Sequence, residues 1–399
     1  MQNVLKAIEP ELLEEIKSIK RYWKDNSIDT INGGFIGRRD FENKMIQNAD
    51  KGIILNTRIL WSFSAMYQYL KDPELLPLMD RAFNYLHTYF RDSVNGGVYW
   101  MLNTHGNVID SKKQIYAQAF TIYALSEYYK VTKSSLAKDW AIEIFHLIER
   151  KALDSKNNGY LEAFNQNWTV IDDMRLSDKD LNSSKTMNTH LHILEAYTNL
   201  YQIYPVSEVK DALSNLIDLF LEKFLTQDSH FILFFDNEWH IQSSLISYGH
   251  DIEAIWLLKE AAITLKDRLR IKKSSEIAVH VTEAFINKAY IPAKGIINEN
   301  DPIKKLVDND RHWWPQIEAM VGLFYMYKQT EDPKFGHIIH DIWNYIQENI
   351  IDKENGEWHF RVNNEGVPYT NEDKLGTWKC PYHNSRGLLK LLSDNLLKQ

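Results

Sequence analysis

Residues 95–100 read Asn95-Gly96-Gly97-Val98-Tyr99-Trp100, a glycine turn followed at once by aromatic residues. Related turns recur along the chain at intervals of roughly 60 to 70 residues. The other five are Asn32-Gly33-Gly34-Phe35, Asn158-Gly159-Tyr160, the glycine-free Asp228-Ser229-His230-Phe231, Lys294-Gly295-Ile296 and Asn355-Gly356-Glu357-Trp358. Asn-Gly turns beside aromatic residues are typical of small hairpins or tight loops. Six such turns at a steady interval predict one repetitive architecture rather than several unrelated domains.

Between the turns, apolar residues follow a helical period, and each interval has room for two helices. The helices that precede the turns have charged faces, as outer helices do, and are predicted at 11–23, 75–90, 136–151, 208–224, 274–289 and 335–350. The helices that follow are apolar around much of their circumference and are predicted to be buried, at 56–69, 114–131, 188–204, 249–265, 313–329 and 384–397. Six pairs predict an all-α (α/α)6 barrel of six inner and six outer helices, with short β-hairpin loops at one end. We expect a single catalytic domain over residues 1–399.

The bulk composition restricts the class of partner. Hydrophobic residues make up 44% of the 399 residues and charged residues 25%, with no stretch apolar enough to cross a bilayer. A net charge of −8 without clustered Lys or Arg disfavours nucleic acid and membrane surfaces. The first ten residues lack the apolar core of a secretory signal, and the single cysteine, Cys380, cannot form an internal disulfide, so a cytoplasmic protein is expected. The aromatic content of 13% mostly suits a large core but also favours a sugar ligand, bound by a monomer or weak dimer.

Polar residues stand near the N-termini of the predicted inner helices, where a barrel would bring them to one mouth. They are Arg58, Tyr116, Asn188, His192, His250, Glu253, Trp314, Glu318 and His383. Asn188 with His192, and Trp314 with Glu318, are four residues apart, and His250 with Glu253 three apart, so each pair shares a helix face. A carboxylate one turn from an imidazole raises its basicity, so Glu253, helped by Glu318, is predicted to serve His250 as a general base.

Each of these residues also has an ordinary interpretation. Helix histidines usually pack or face solvent, the carboxylates can be ion-pair partners, and the tryptophans can be core. His190 lies two residues from His192, so only one of them can enter the cavity, and His192 is chosen because it shares a face with Asn188. Without a His-Glu-x-x-His motif or a second cysteine, no metal is expected, and without a phosphate-binding glycine loop, no nucleotide cofactor is expected.

Several segments resemble a known family, the N-acylglucosamine 2-epimerase superfamily, and within it the cellobiose 2-epimerase branch. The segments are Asn56-Thr-Arg-Ile-Leu-Trp61, Gly96-Gly-Val-Tyr-Trp100, Ser247-Tyr-Gly-His-Asp-Ile-Glu-Ala254, Trp313-Trp-Pro-Gln-Ile-Glu318 and Trp378-Lys-Cys-Pro-Tyr-His383. The resemblance covers essentially the whole chain. It implies a cofactor-independent (α/α)6-barrel isomerase that converts the reducing-end glucose of β-1,4-linked disaccharides, such as cellobiose and lactose, to mannose by inversion at C2.

The resemblance also implies roles for individual residues. His250 and His383 would be the two acid/base residues, His192 would assist proton movement at the sugar oxygens, and Arg58 would hold the anionic intermediate. Glu253 and Glu318 would tune His250. The remaining implied roles are support of His383 by Asp180, with Asp178 as its rival, and sugar contacts by Tyr116, Asn188, Trp314 and Trp378. The chain departs from relatives in having His190 beside His192.

The chemistry expected of these residues is proton transfer through an enediolate. The sugar ring opens, His383 removes the C2 proton, His250 returns a proton to the other face, and Arg58 with His192 stabilises the enediolate oxygens. The same residues would serve a mannose 2-epimerase acting on free mannose and glucose, or an aldose–ketose isomerase. Two more distant alternatives are an (α/α)6 glycoside hydrolase, with Glu253 and Glu318 as its carboxylic acids, and a sugar-binding protein without catalysis.

Overall fold

The structure, a computed structural model, describes residues 5–396, with side chains described as far as residue 393. Twelve helices alternate around a barrel. They are α1 Glu9–Asn26, α2 Ile53–Leu70, α3 Leu75–Tyr85, α4 Ile115–Thr132, α5 Ser135–Lys151, α6 Met187–Ile203, α7 Ser207–Leu219, α8 Tyr248–Thr264, α9 Arg268–Lys288, α10 Trp313–Thr330, α11 Pro333–Tyr345 and α12 Tyr382–Leu396. All twelve predicted helices are present, and only Leu397, the last residue of the predicted final helix, lies outside the described residues.

The even-numbered helices form the inner ring. Each packs on the next, and contacts between α12 and α2 close the circle. Their burial follows from their composition, since 13 of the 18 residues of α2 are buried. In α1, by contrast, the five buried residues, Leu12, Ile16, Ile19, Tyr22 and Trp23, lie on one face. The predicted (α/α)6 barrel is confirmed.

The outer helices differ from the prediction in their ends. α9 begins at Arg268, six residues earlier than expected, because Asp267 caps it by accepting hydrogen bonds from the Leu269 and Arg270 amides. Three outer helices, α3, α7 and α11, end in a π-helical turn over Leu86–Phe90, Phe220–Phe224 and Ile346–Ile350. These π-turns occur in every second repeat and precede the predicted turns, two of which contain glycine and one of which, in the fourth repeat, does not.

Short strands occupy the end of the barrel at which the inner helices begin. They are Lys51–Gly52, Met101–Leu102, Val108–Asp110, Lys113–Gln114, Ala163–Phe164, Lys185–Thr186, Phe234–Phe235, Ile246–Ser247, Tyr290–Ile291, Gly295–Ile296, Glu299–Asp301, Leu306–Asp308, Arg311–His312 and Arg361–Val362. Five of them directly precede an inner helix, and each pairs antiparallel with a strand of the next repeat, as Lys51–Gly52 does with Met101–Leu102. Pairing between repeats therefore ties the loops into a rim.

A buried ion pair ties three of the turns to the strand that follows. Lys113 Nζ lies 2.8 Å from Asp92 Oδ2, and both side chains are fully buried. Lys51 with Asp29 and Lys185 with Asp154 repeat the arrangement at 2.7 and 2.8 Å. Each aspartate also accepts backbone amides of its own turn, so the lysine holds the turn against the start of an inner helix.

The glycines of the turns are required where the backbone is left-handed and crowded. Gly159 has φ +79°, and a Cβ there would lie 2.5 Å from the Trp239 ring and 3.0 Å from His190 Nε2. In the fourth repeat, Ser229 takes the left-handed conformation at φ +63° instead, which explains how the glycine-free turn keeps the repeat. No helix within residues 5–396 combines the length and apolar character that a bilayer-spanning segment needs.

Candidate active site

Two of the predicted histidines flank one indole at the mouth of the barrel. The ring of Trp314, on the first turn of α10, lies 4.9 Å from the His250 ring and 5.3 Å from the His383 ring, measured between centroids. His250 begins α8 and His383 begins α12, so three inner helices contribute to the group. Trp314 and His250 are half-buried and open to the mouth, whereas His383 is buried.

His383 is held by a carboxylate. Its Nδ1 lies 2.8 Å from Glu318 Oε1, and both side chains are buried. A carboxylate only accepts hydrogen bonds, so Nδ1 carries the hydrogen and Nε2 keeps its lone pair. Burial lowers the pKa of His383 well below its usual value, which keeps the ring neutral at pH 7. The arrangement is that of an oriented base whose conjugate acid a carboxylate would stabilise.

The prediction that Glu253 and Glu318 serve His250 is wrong at the level of contacts. The hydrogen-bond partner of His250 Nδ1 is the Ser247 hydroxyl, at 2.8 Å. Glu318 bonds His383 instead, and Glu253 pairs with Arg386. The reason is direction: His250 lines the cleft at the mouth, whereas the carboxylates lie in the barrel centre around a guanidinium. Burial lowers the pKa of His250 to about 4.

His192 and His190 point to different places, as their spacing requires. His192 Nδ1 lies 3.0 Å from Glu195 Oε2, and its ring contacts Tyr116 at 4.9 Å between centroids. His190 is tied up structurally: its Nδ1 lies 2.7 Å from the Thr186 carbonyl, and its Nε2 accepts the Tyr160 amide at 2.8 Å. Only His192 therefore lies among the predicted site residues.

Arg58 supplies an uncompensated positive charge. Its Nη2 donates to the Tyr116 hydroxyl at 2.8 Å, and the guanidinium lies 4.4 and 4.7 Å from the Phe120 and Tyr382 ring centroids. Arg58 is 2% exposed, and among the side chains described, those of residues 5–393, no carboxylate lies within ion-pair distance of it. A buried cation without an anion is costly, so its charge is available to an anionic ligand.

Sequence reasoning missed the residue that organises the carboxylates, Arg386. Its guanidinium forms ion pairs with Glu195, Glu253 and Glu318, the last at 2.6 Å. Glu195 and Glu318 are the partners of His192 and His383, so a single buried arginine holds the carboxylates of two histidines. The only signal in the sequence is its place three residues after His383, which puts both on one face of α12.

The pKa values of the carboxyl groups around Arg386 shift in opposite directions. The arginine and His192 lower the pKa of Glu195 despite its burial. Burial dominates at Glu318 and raises its pKa, although Arg386 opposes the rise.

Glu253, Glu318 and His383 bring potential metal-ligand atoms within 4.8 Å of one another. Because the Arg386 guanidinium already bridges the two carboxylates, the arrangement does not fit a divalent cation.

Asp180 does not contact His383. Its Oδ2 accepts the backbone amide of Ser177 at 2.9 Å and the Ser177 hydroxyl at 2.8 Å, so it stabilises its own loop. The rival Asp178 is exposed and hydrogen-bonds no part of His383. Glu318 occupies Nδ1 of that histidine, which leaves no place there for a loop aspartate. The prediction that Asp180 supports His383 by contact is therefore wrong.

The loop over residues 173–181, which we call the mouth loop, separates two clefts. One, of about 920 Å³, is lined by Asn188, His250 and Asp180 together with Glu162 and Glu299. Burial raises the pKa of these two glutamates to about 8 and 7. The other cleft, of about 580 Å³, is lined by Trp100, Trp378 and Asp178.

The predicted sugar-contacting residues surround this region. Tyr116 bonds Arg58, and its ring lies 6.0 Å from that of Trp378. Asn188 stands at the first turn of α6, where its Oδ1 is buried without a hydrogen-bond partner among the described residues. Trp314 separates His250 from His383. Aromatic faces, an unpaired amide oxygen and a buried cation suit a polyhydroxylated ligand.

The model of the N-acylglucosamine 2-epimerase (GlcNAc 2-epimerase) family matches residues 34–385, nearly the whole barrel. The chain belongs to the N-acylglucosamine 2-epimerase family. The predicted family and the predicted isomerase class are therefore confirmed.

Individual relatives extend over the full length of this epimerase-family chain. It is 42% identical to the cellobiose 2-epimerase of Bacteroides fragilis, over 99% of this chain and 100% of that protein. It is 36% identical to the cellobiose 2-epimerase of Dictyoglomus turgidum, over 97% and 99%. The solved cellobiose 2-epimerase of Bacillus thermoamylovorans B4167 superposes with a TM-score of 0.91 at 38% identity, over 97% of this chain and 99% of that one.

Proposed function

We propose that this protein inverts C2 of the reducing-end glucose of β-1,4-linked disaccharides such as cellobiose, producing mannose at that position. The observation that carries the proposal is the pair of imidazoles on either side of Trp314, with each Nδ1 already engaged. Inversion at one carbon needs two proton-transfer groups that reach opposite faces, and Nε2 is the nitrogen left to each ring. The full-length similarity to cellobiose 2-epimerases supports a disaccharide as the substrate.

The first chemical step after ring opening is removal of the C2 proton by His383. A neutral ring with its lone pair on Nε2 is the basic form, and burial keeps the ring in that form. Once the proton has moved, the positive charge on the imidazolium lies 2.8 Å from Glu318. A carboxylate in this position stabilises the imidazolium and so lowers the barrier to deprotonation.

The enediolate that results needs fixed positive charge near its oxygens. Arg58 is suited to this because no carboxylate among residues 5–393 neutralises it. The hydroxyl of Tyr116 and the imidazole of His192 adjoin it and can move or donate protons at the sugar oxygens. Donors already in place for the anion stabilise the transition state without reorganisation.

Reprotonation from the opposite face falls to His250. The Ser247 hydroxyl at Nδ1 can donate to the neutral ring or accept from the protonated ring, so it suits both states. In the free protein the pKa of about 4 leaves His250 neutral. The negative charge of the enediolate favours the protonated form of His250, which takes a proton from solvent and transfers it to C2, while His383 returns the proton it removed to solvent.

The carboxylates are poorly placed for the alternative of glycoside hydrolysis. A hydrolase needs one carboxyl group free to act as an acid and a second free to act as a base or nucleophile. Here Glu253 and Glu318 are both ion-paired to Arg386. Release of glucose from cellobiose would favour hydrolysis, whereas a product of unchanged mass favours epimerisation.

The experiment that tests the proposal is deuterium uptake at C2. Cellobiose, lactose, glucose and mannose are incubated separately in heavy water with the wild type, His250→Ala, His383→Ala and the control His240→Ala. His240 is an exposed histidine that lines neither of the two clefts. We expect the wild type and the control to yield an epimer with one deuterium at C2, and each mouth variant to lose inversion. Full epimerisation by either mouth variant would refute the two-histidine route. Ketose products or a preference for monosaccharides would identify the alternative reactions.

A further inference from the structure

A second cavity lies at the opposite end of the barrel from the histidine mouth. It measures about 320 Å³ and lies between the C-terminal halves of α2, α4, α6 and α8, with part of α12. We call it the basal cavity. Its lining residues include Trp61, Tyr123, Glu195, Trp256 and Arg386. None of the predicted site residues belongs to it, so the proposed epimerisation leaves it unexplained.

The walls of the basal cavity are polar but electrically balanced. Glu127 Oε2 lies 3.0 Å from Lys130 Nζ, Glu260 pairs with Lys390, and Glu195 pairs with Arg386. Three carboxylates therefore face three cations within the lining. A neutral wall of this kind selects neither an anion nor a cation, and it favours an uncharged polar ligand.

Uncharged hydrogen-bonding side chains also line the basal cavity. They are Gln68, Thr198, Asn199 and Gln202. Amide and hydroxyl groups donate as well as accept hydrogen bonds, so this part of the wall matches a ligand that carries several hydroxyl groups. The Trp61 ring stacks on Tyr123 at 5.2 Å, which provides aromatic surface for C–H groups.

The basal cavity also contacts the partners of the catalytic histidines from behind. Glu195 in its wall bonds His192, at 3.0 Å. Trp256 in its wall donates to Glu318 Oε2 at 3.2 Å, and Glu318 in turn bonds His383. A molecule in the cavity would therefore be one side chain away from His192, through Glu195, and two side chains away from His383, through Trp256 and Glu318.

We infer that the basal cavity is a binding site for a neutral polyhydroxylated molecule of monosaccharide size, and that its occupancy alters catalysis at the mouth. Its hydroxyl groups exchange hydrogen bonds with the amide and hydroxyl side chains of the wall, and its apolar ring face lies against the aromatic residues. A volume of about 320 Å³ matches the lower range of small-molecule sites. The coupling runs through Glu195 and Trp256, because both touch the cavity and the carboxylate network.

Binding is tested with methyl β-D-glucopyranoside, whose locked anomeric carbon prevents ring opening and turnover. Thermal unfolding is followed against probe concentration for the wild type, Ala65→Phe and Trp314→Ala. Ala65 is a half-buried residue of the cavity wall, and phenylalanine would fill the space. At ten times the Kd we expect Tm to rise by ~2 °C in the wild type and in Trp314→Ala, and no rise in Ala65→Phe.

Other outcomes overturn the site. A Tm shift that Ala65→Phe keeps and Trp314→Ala loses would place the probe at the mouth. If the wild type shows no saturable Tm shift up to high millimolar concentrations of probe, the probe does not bind in the basal cavity and the proposal is refuted. If Ala65→Phe does not fold, a crystal of the wild type soaked in the probe decides, since density beside Trp61 supports the site and density only at the mouth refutes it. Neither measurement needs turnover, so the outcome is separable from that of the proposed function.

The coupling is tested by the kinetics of disaccharide conversion with and without the probe. We expect kcat at saturating disaccharide to change at least twofold with KM unaltered. Purely competitive inhibition, or an unchanged kcat when thermal shifts show the cavity filled, would refute the coupling.

Discussion

Replacing Glu318 by Gln should slow the reaction through His383 alone. The substitution keeps the size of the side chain but removes the charge that lies 2.8 Å from His383 Nδ1. A hydrogen bond to a charged partner contributes about 1.5–3 kcal/mol. Lost from the transition state, that corresponds to a fall of about 10- to 150-fold in kcat. If the new amide turns its NH2 group toward Nδ1, the ring adopts the other tautomer and Nε2 loses its lone pair, which deepens the loss.

The matched control for Glu318→Gln is Glu253→Gln. Both glutamates pair with Arg386, and both are buried, but only Glu318 bonds a histidine. Rates of cellobiose conversion and of C2 deuterium exchange are measured for both variants, with Tm as a check on folding. We expect Glu318→Gln to lose at least ten times more kcat than Glu253→Gln at similar Tm. Equal losses in the two variants, or a Glu318→Gln rate within threefold of the wild type, would refute the role assigned to this contact.

Three further predictions concern charge, pH and the turns. Arg58→Met should lower kcat by about 10²- to 10³-fold, as loss of an oxyanion donor does. Tm should not fall, because no carboxylate among the side chains of residues 5–393 pairs with the buried guanidinium. A large fall in Tm with kcat preserved would contradict the prediction. The pKa of His190 is lowered to about 4 by burial, below its unfolded value of about 6.5, so the unfolded chain binds the extra proton between these pH values and stability falls as pH drops through that window. Urea titrations at pH 7 and pH 5 should show a smaller loss in His190→Asn than in the wild type, and an equal loss would count against the assignment. Gly159→Ala should destabilise the protein by about 1–3 kcal/mol in the same titration, because of its left-handed φ and its contact with Trp239; an unchanged midpoint would refute this.

The repeat could be predicted from the sequence because the features that define it, turns and helical periodicity, depend on residues close together in the chain. Asn-Gly turns require left-handed backbone at their own positions, as at Gly159, and helical periodicity depends on neighbours three and four residues away. The buried lysine–aspartate pairs could not be foreseen in the same way. Lys113 and Asp92 are brought together by the fold of a whole loop, and the sequence around either residue does not predict the contact.

The site also has one part that local sequence predicted and another that it did not. Helix spacing was enough to predict that His192, His250 and His383 begin inner helices and that His190 points elsewhere. It was not enough to predict the partners of the carboxylates. Glu253 and Glu318 bond Arg386, which lies on a helix more than sixty residues further along the chain. In a buried centre of low dielectric, carboxylates gather around a permanent cation. Glu318 therefore lies beside Arg386 and bonds His383, which is on the same helix as that arginine, rather than His250.

By itself, then, the order of residues determined the barrel, the family and the placement of three histidines near the starts of inner helices, since each depends on short-range pattern. Which carboxylate orients which histidine, the place of the loop aspartates, and the existence of a cavity behind the carboxylates were decided only when twelve helices closed into a ring. Those features are pairings between distant segments, and their energies depend on burial and geometry that no local spacing encodes.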